Sequence, residues 1–137
     1  MLHFLRIFTY LFFALKISMS DLTYRKIRNK DLLLFIAASF LVNLPTLGLE
    51  VLQTLSVSTL LLSALHLLSH GQIGAGDLKL FLALVIWSTN FMQWLALTSA
   101  AWVFGGLFAI TLLLLKRRAT SNIAFAPFIF LAFIAVI

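Results

Sequence analysis

In a chain whose residues are 63% hydrophobic, an aspartate at the mouth of an apolar run asks for a reason. Gly74-Ala75-Gly76-Asp77-Leu78-Lys79 places one there. The two glycines before the acid open backbone conformations closed to other residues and keep side chains out of the way, so another segment can lie close to the carboxylate. The chain offers one obvious partner for it, Asp21, which ends an earlier apolar run in Ser20-Asp21-Leu22-Thr23-Tyr24 and precedes the basic stretch Arg25-Lys26-Ile27-Arg28-Asn29. Two carboxylates in a water-poor site cannot both ionise cheaply, so they share a proton and titrate as a coupled pair. The anionic member then takes a proton from water while the protonated member polarises a scissile carbonyl, giving a tetrahedral intermediate with no covalent enzyme adduct. That is the chemistry of an aspartic protease, set inside a membrane.

Each acid also has a blander reading. Asp21 can pair with Arg25 one turn on, Asp77 can serve as the N-cap of the helix it opens, and a bare Gly-x-Gly-Asp is a short pattern. Their joint position is what counts. The chain has four acidic residues, and outside the start of the second helix (Asp31) and a loop (Glu50) these are the only two. Lys79 reads either as a residue that positions substrate or an aspartate, or as one that reaches for lipid phosphate. Serine chemistry lacks a base beside a suitable hydroxyl, since His66 and His70 stand near no compelling serine. His66 reads as a packing residue and His3 as a solvated one. No cluster supplies three or four metal ligands, so neither metal nor cofactor is expected. The absence of cysteine excludes disulfides, thiolate metal sites and a cysteine nucleophile.

The elements that must carry these acids are helices in a bilayer. With 137 residues and only 10% charged, the chain departs far from soluble domains, in which about a quarter of residues are charged. A span takes about 20 residues, which leaves room for about six and nearly nothing else. We therefore expect an all-α, polytopic membrane bundle, residues 1–137 forming a single transmembrane domain. The segment after Arg6 is expected to be a first helix and not a cleaved signal, because Lys16 interrupts its apolar run and no small-x-small site follows.

The expected helices are residues 2–22, 32–44, 51–69, 77–87, 94–115 and 122–137. Arg6 and Lys16 in the first are expected to snorkel towards opposite interfaces. Asn29 is expected to cap the second helix, with Asp31 in its first turn, and Pro45 and Gly48 to end it. The third carries a polar stripe, Gln53, Thr54, Ser56, Ser58, Thr59 and Ser63, suited to helix packing. The fourth spans on the order of 20 Å against a core of about 30 Å, so its Asp77 end is expected to lie below a membrane surface. Lys116-Arg117-Arg118 close the fifth, and Pro127 falls early enough in the sixth to bend or open its first turns.

Orientation follows from the positive residues. The loop between the first two helices carries Arg25, Lys26, Arg28 and Lys30, that between the last two carries three, and Lys79 flanks the loop at 70–76, whereas the remaining loops have none. The positive-inside rule then puts these loops in the cytoplasm, both termini outside, and Asp21 and Asp77 on the same side. The net charge of +6 belongs to this asymmetry, and no nucleic-acid partner is expected.

These residues resemble the type IV prepilin and preflagellin peptidases, which are Gly-x-Gly-Asp intramembrane aspartic proteases. Asp21 with Arg25-Lys26-Ile27-Arg28-Asn29 is similar to the family's first motif, Gly74-Ala75-Gly76-Asp77-Leu78-Lys79 to its second, and Ala124-Phe125-Ala126-Pro127-Phe128 to the proline-bearing start of its last helix. The resemblance implies Asp21 and Asp77 as the catalytic pair, with Gly74, Gly76, Lys79 and Asn29 as motif residues. It implies as substrates pilin-like precursors with a short basic leader, cut at the cytoplasmic face of the inner membrane. Arg28 stands where the family often has proline, and Ala126 where it often has glycine. Because the chain opens directly on the first helix, a peptidase-only form without methyltransferase activity is expected. On the residues alone, a small proton-coupled transporter or channel and a non-catalytic assembly subunit stay open as alternatives, although no internal repeat supports the transporter. The oligomeric state is left open.

Overall fold

The computed structural model describes residues 1–115 and 123–137. Among them it contains six α-helices and no strand: α1 (Leu2–Tyr24), α2 (Asn29–Asn43), α3 (Leu49–Leu68), α4 (Ala75–Ala83), α5 (Phe91–Leu114) and α6 (Ala126–Phe133). The expected Lys116-Arg117-Arg118 terminus of the fifth helix and the Asn122 start of the sixth lie outside the described residues. Three helices, α1, α3 and α5, are long and apolar enough to cross a membrane. At 1.5 Å per residue the 23 residues of α1 reach about 34 Å, enough for a hydrocarbon core of about 30 Å. The other three are shorter, and α4, with nine residues, is about 13 Å long.

Local chemistry explains where the helices stop. The chain leaves α1 through Arg25, whose left-handed φ of 52° lets its N–H donate to the Asp21 carbonyl at 2.8 Å while the backbone turns away. Pro45 ends α2 in a 3-10 turn, Leu44–Thr46. His70 and Gly71, with φ of 51° and 76°, reverse the chain after α3. The fourth helix begins two residues earlier than expected and tightens after Ala83 into a 3-10 turn, Leu84–Trp87. The fifth begins at Phe91 instead of Trp94, because Asn90 caps it: its side chain accepts from Gln93 N–H at 2.8 Å, while Gln93 Oε1 accepts from Thr89 N–H. Pro127 does not bend the sixth helix from within. It occupies the first turn of α6, where its missing N–H has no intrahelical partner to lose.

The short helix α4 is enclosed by its neighbours, packing against α2, α3 and α6, while α1 packs on α2 and α6 and α5 on α3 and α6. Its Leu80 and Phe81 are fully buried, as are Phe35, Trp94 and Phe133 around it. The long helices instead turn much of their apolar surface outward, with Phe4, Leu15, Leu60, Leu67 and Leu114 exposed, as lipid contact demands. Three interior ring donors are tied: Tyr10 Oη donates to the Phe130 carbonyl at 2.7 Å, Trp87 Nε1 to Ser39 Oγ at 2.9 Å, and Trp94 Nε1 to the Phe81 carbonyl at 2.9 Å. The polar stripe of α3 is split. Thr54 and Ser58 are buried, whereas the exposed Ser56 and Thr59 return their hydroxyls to carbonyls one turn back.

Candidate active site

Asp21 sits in the last turn of α1 with 6% of its surface exposed. A carboxyl so deep needs a donor, and it finds one in the backbone: Ala126 N–H, the first of α6, donates to Asp21 Oδ2 at 2.9 Å across 105 positions of sequence. The opening amides of a helix lack intrahelical acceptors and carry the positive end of its dipole, so the start of α6 is a natural seat for an acidic oxygen.

What seats that amide is a ring. A Cβ at Gly105 of α5 would overlap the Phe125 side chain, so the glycine leaves the space the ring fills. Phe125 also packs against Trp102 at 5.1 Å and Phe81 at 6.3 Å between centroids, and so lies locked among α5 and α4 one residue before the amide that holds Asp21.

Asp77 stands in the first turn of α4, outside the three spans. It is not the N-cap of that helix. Gly74 takes the cap position, and Asp77 N–H donates to the Gly74 carbonyl at 3.1 Å, which leaves the carboxyl free of a capping role. The glycines of the motif make room in two directions. A Cβ on Gly74 would come within 3.1 Å of Asp77 Oδ2, and one on Gly76 within 3.2 Å of Ile27 Cβ. The second approach lays the basic loop after α1 against the start of α4, which is how Asp21 and Asp77 come to one place.

Both acids line a cleft of about 470 Å³, with Arg25, Lys26 and Lys79 among the residues at its border. Burial pushes the Asp77 carboxyl from its ordinary 3.8 up to about 6, and the charge of Asp21 adds to the push. The motif residues Asn29 and Lys79 meet at the rim, Lys79 Nζ donating to Asn29 Oδ1 at 3.5 Å. The expected capping role of Asn29 is corrected by this structure. Arg28 is the residue before the helix, Asn29 is its first member, and its side chain is turned to Lys79 instead of to the helix amides.

Several contacts near the cleft were not marked by the sequence. Asp31 was set aside as a first-turn acid, yet it is buried and takes Lys16 at 2.9 Å and Arg28 at 3.7 Å. Lys16 therefore does not simply snorkel; it ties α1 to α2 more than a turn before Asp21. Pro127 was the available signal for the Ala126 amide, because a proline in a first turn marks a helix start and its free N–H groups. Gly105 carried no signal of its own inside a long apolar run. Among the described residues no group of three or more potential metal ligands occurs.

A family model described as the type IV leader peptidase family matches residues 8–137. No curated protein and no solved structure matches the chain.

Proposed function

The chain belongs to the type IV leader peptidase family, and on that premise we propose that it is an intramembrane aspartic endopeptidase acting through Asp21 and Asp77. Its substrates are prepilin-like precursors, whose short basic leader is cut off at the cytoplasmic face of the inner membrane. The observation that carries this reading is the shared cleft: two acids from separate helices line it, and one is held protonated to a higher pH by burial and by the other's charge.

In this mechanism the two carboxyls have different tasks. Asp21, whose Oδ2 is already engaged by an amide donor, is the carboxylate that takes a proton from the attacking water. Asp77, with its raised pKa, is the acid that donates to the oxygen of the scissile carbonyl. The water oxygen bonds to the carbonyl carbon and a tetrahedral diol forms. Its collapse breaks the C–N bond as Asp21 passes its proton to the leaving nitrogen and Asp77 recovers one from a diol hydroxyl, which returns both groups to their starting states. The glycines at 74 and 76 keep the approach to Asp77 open for an extended substrate backbone.

The test is co-expression with candidate pilin precursors, scored by the gel shift of the processed product. Asp21→Asn and Asp77→Asn each should reduce cleavage by at least about a thousandfold while the protein still inserts in the membrane. Full cleavage by Asp77→Asn would end the protease reading and favour a non-catalytic assembly subunit.

A further inference from the structure

Far from the aspartates the bundle holds a second polar hollow, of about 300 Å³, bordered by Arg6 of α1, Glu50 of α3, and Trp87 with Ser88 at the far end of the short central helix. Arg6 precedes Asp21 by fifteen residues on the same continuous helix, about 22 Å along its axis, so the hollow lies at the opposite membrane surface from the cleft. Three observations point to a ligand. Arg6 is partly exposed, but its Nε is buried without a hydrogen-bond partner among the described residues, and a buried N–H donor calls for an acceptor. Its guanidinium carbon lies 5.9 Å from the centre of the Trp87 ring, which orients the group without satisfying its N–H donors. Glu50 borders the same hollow, yet it forms no ion pair among the described residues, Arg6 included.

We propose that this hollow binds the headgroup of a zwitterionic phospholipid, the phosphate on Arg6 and the ammonium on Glu50. A simple anion on Arg6 would face the carboxylate, and a simple cation on Glu50 would face the guanidinium. A ligand with both charges on one short backbone answers both groups. The lipid source follows from the surroundings, because Phe8, Leu11 and Phe12, deeper along α1 than Arg6, are exposed and lie where acyl chains would run beneath a headgroup. The site is independent of the protease reading, since it shares no residue with the cleft.

The experiment is native mass spectrometry of the full chain released from vesicles of equimolar phosphatidylethanolamine and phosphatidylglycerol. The wild type should retain phosphatidylethanolamine about tenfold over phosphatidylglycerol. Arg6→Ala should lose retention of both lipids, and Glu50→Gln, an isosteric change at an exposed position, should lose the preference while keeping retention. Equal retention of the two lipids by the wild type, or an unchanged preference in Glu50→Gln, overturns the proposal. Free O-phosphoethanolamine added as competitor should not displace the lipid, and displacement at comparable concentration would overturn the lipid assignment. Leader cleavage should persist in Glu50→Gln, so the fate of this site and that of the protease reading are scored separately.

Discussion

Burial makes Asp77 keep its proton to about pH 6, and the charge of Asp21 adds to the hold. The direction of the shift sets the pH behaviour. A folded-state value raised above the unfolded one means that ionising Asp77 costs more in the folded protein. The contribution of Asp77 to folded stability is therefore greatest at low pH and declines as pH rises from about 4 through about 6. Cleavage that needs the protonated acid should fall over the upper part of the same interval. Carbon-13 NMR of the labelled Asp77 carboxyl should show titration near pH 6 in the wild type and at lower pH in Asp21→Asn, because the second cause of the shift is removed. An unchanged midpoint would mean that the two acids do not sense each other. Asp77→Asn should in turn raise the melting temperature above pH 6, the usual consequence of relieving a site built for function at the expense of stability.

Helices α1, α4, α5 and α6 each contribute one part of a positioning device: the acid, a wall for Phe125, the notch at Gly105, and the amide at Ala126. A methyl group at Gly105 must displace the ring. Gly105→Ala should cost about 1–3 kcal/mol in thermal or denaturant unfolding, as overpacking does, and should lower cleavage by more than the stability loss explains, because the Ala126 amide moves off Asp21. Adding Phe125→Leu to Gly105→Ala should recover part of both losses, and no recovery would separate the ring from the amide. The tie between α1 and α2 behaves differently. Lys16→Met leaves the buried Asp31 carboxyl only its longer contact to Arg28 and should destabilise the bundle, whereas Lys16→Met with Asp31→Leu should recover most of that stability, since an apolar pair can replace an ion pair whose acid is buried. Melting curves of the single and double variants distinguish the two outcomes.

For the molecule as a whole, three long apolar helices form a lipid-facing frame and the shorter ones fill it, so a helix of nine residues can bring a polar motif to a cleft without crossing the bilayer itself. The expected orientation is directly testable because the chain contains no cysteine. Single substitutions Lys26→Cys and Glu50→Cys should react with a membrane-impermeant maleimide from opposite sides of sealed vesicles, Lys26→Cys from the cytoplasmic side. Labelling of both from one side would refute the assigned topology, and with it the common side of the basic loop and the cleft.

The helical membrane class and the family resemblance could be read from the order of residues, and so could the positions of the two candidate acids. Apolar runs report burial in lipid, and Gly-x-Gly-Asp announces a carboxyl with open space before it. The cap of the fifth helix, Asn90, and the role of Pro127 at a helix start were also local matters, but each was outweighed in the reading by a stronger apolar pattern nearby. Other features depend on residues distant in the chain and became visible only with the fold. The amide that Asp21 accepts lies 105 positions away, the rim contact of Lys79 joins positions 50 apart, and Phe125 fits only where Gly105 lacks a side chain. Composition and spacing specify which groups are present and which helices they begin or end. Distances between helices are set by packing, and packing decided that Asp21 and Asp77 share one cleft while Arg6 and Glu50 border another.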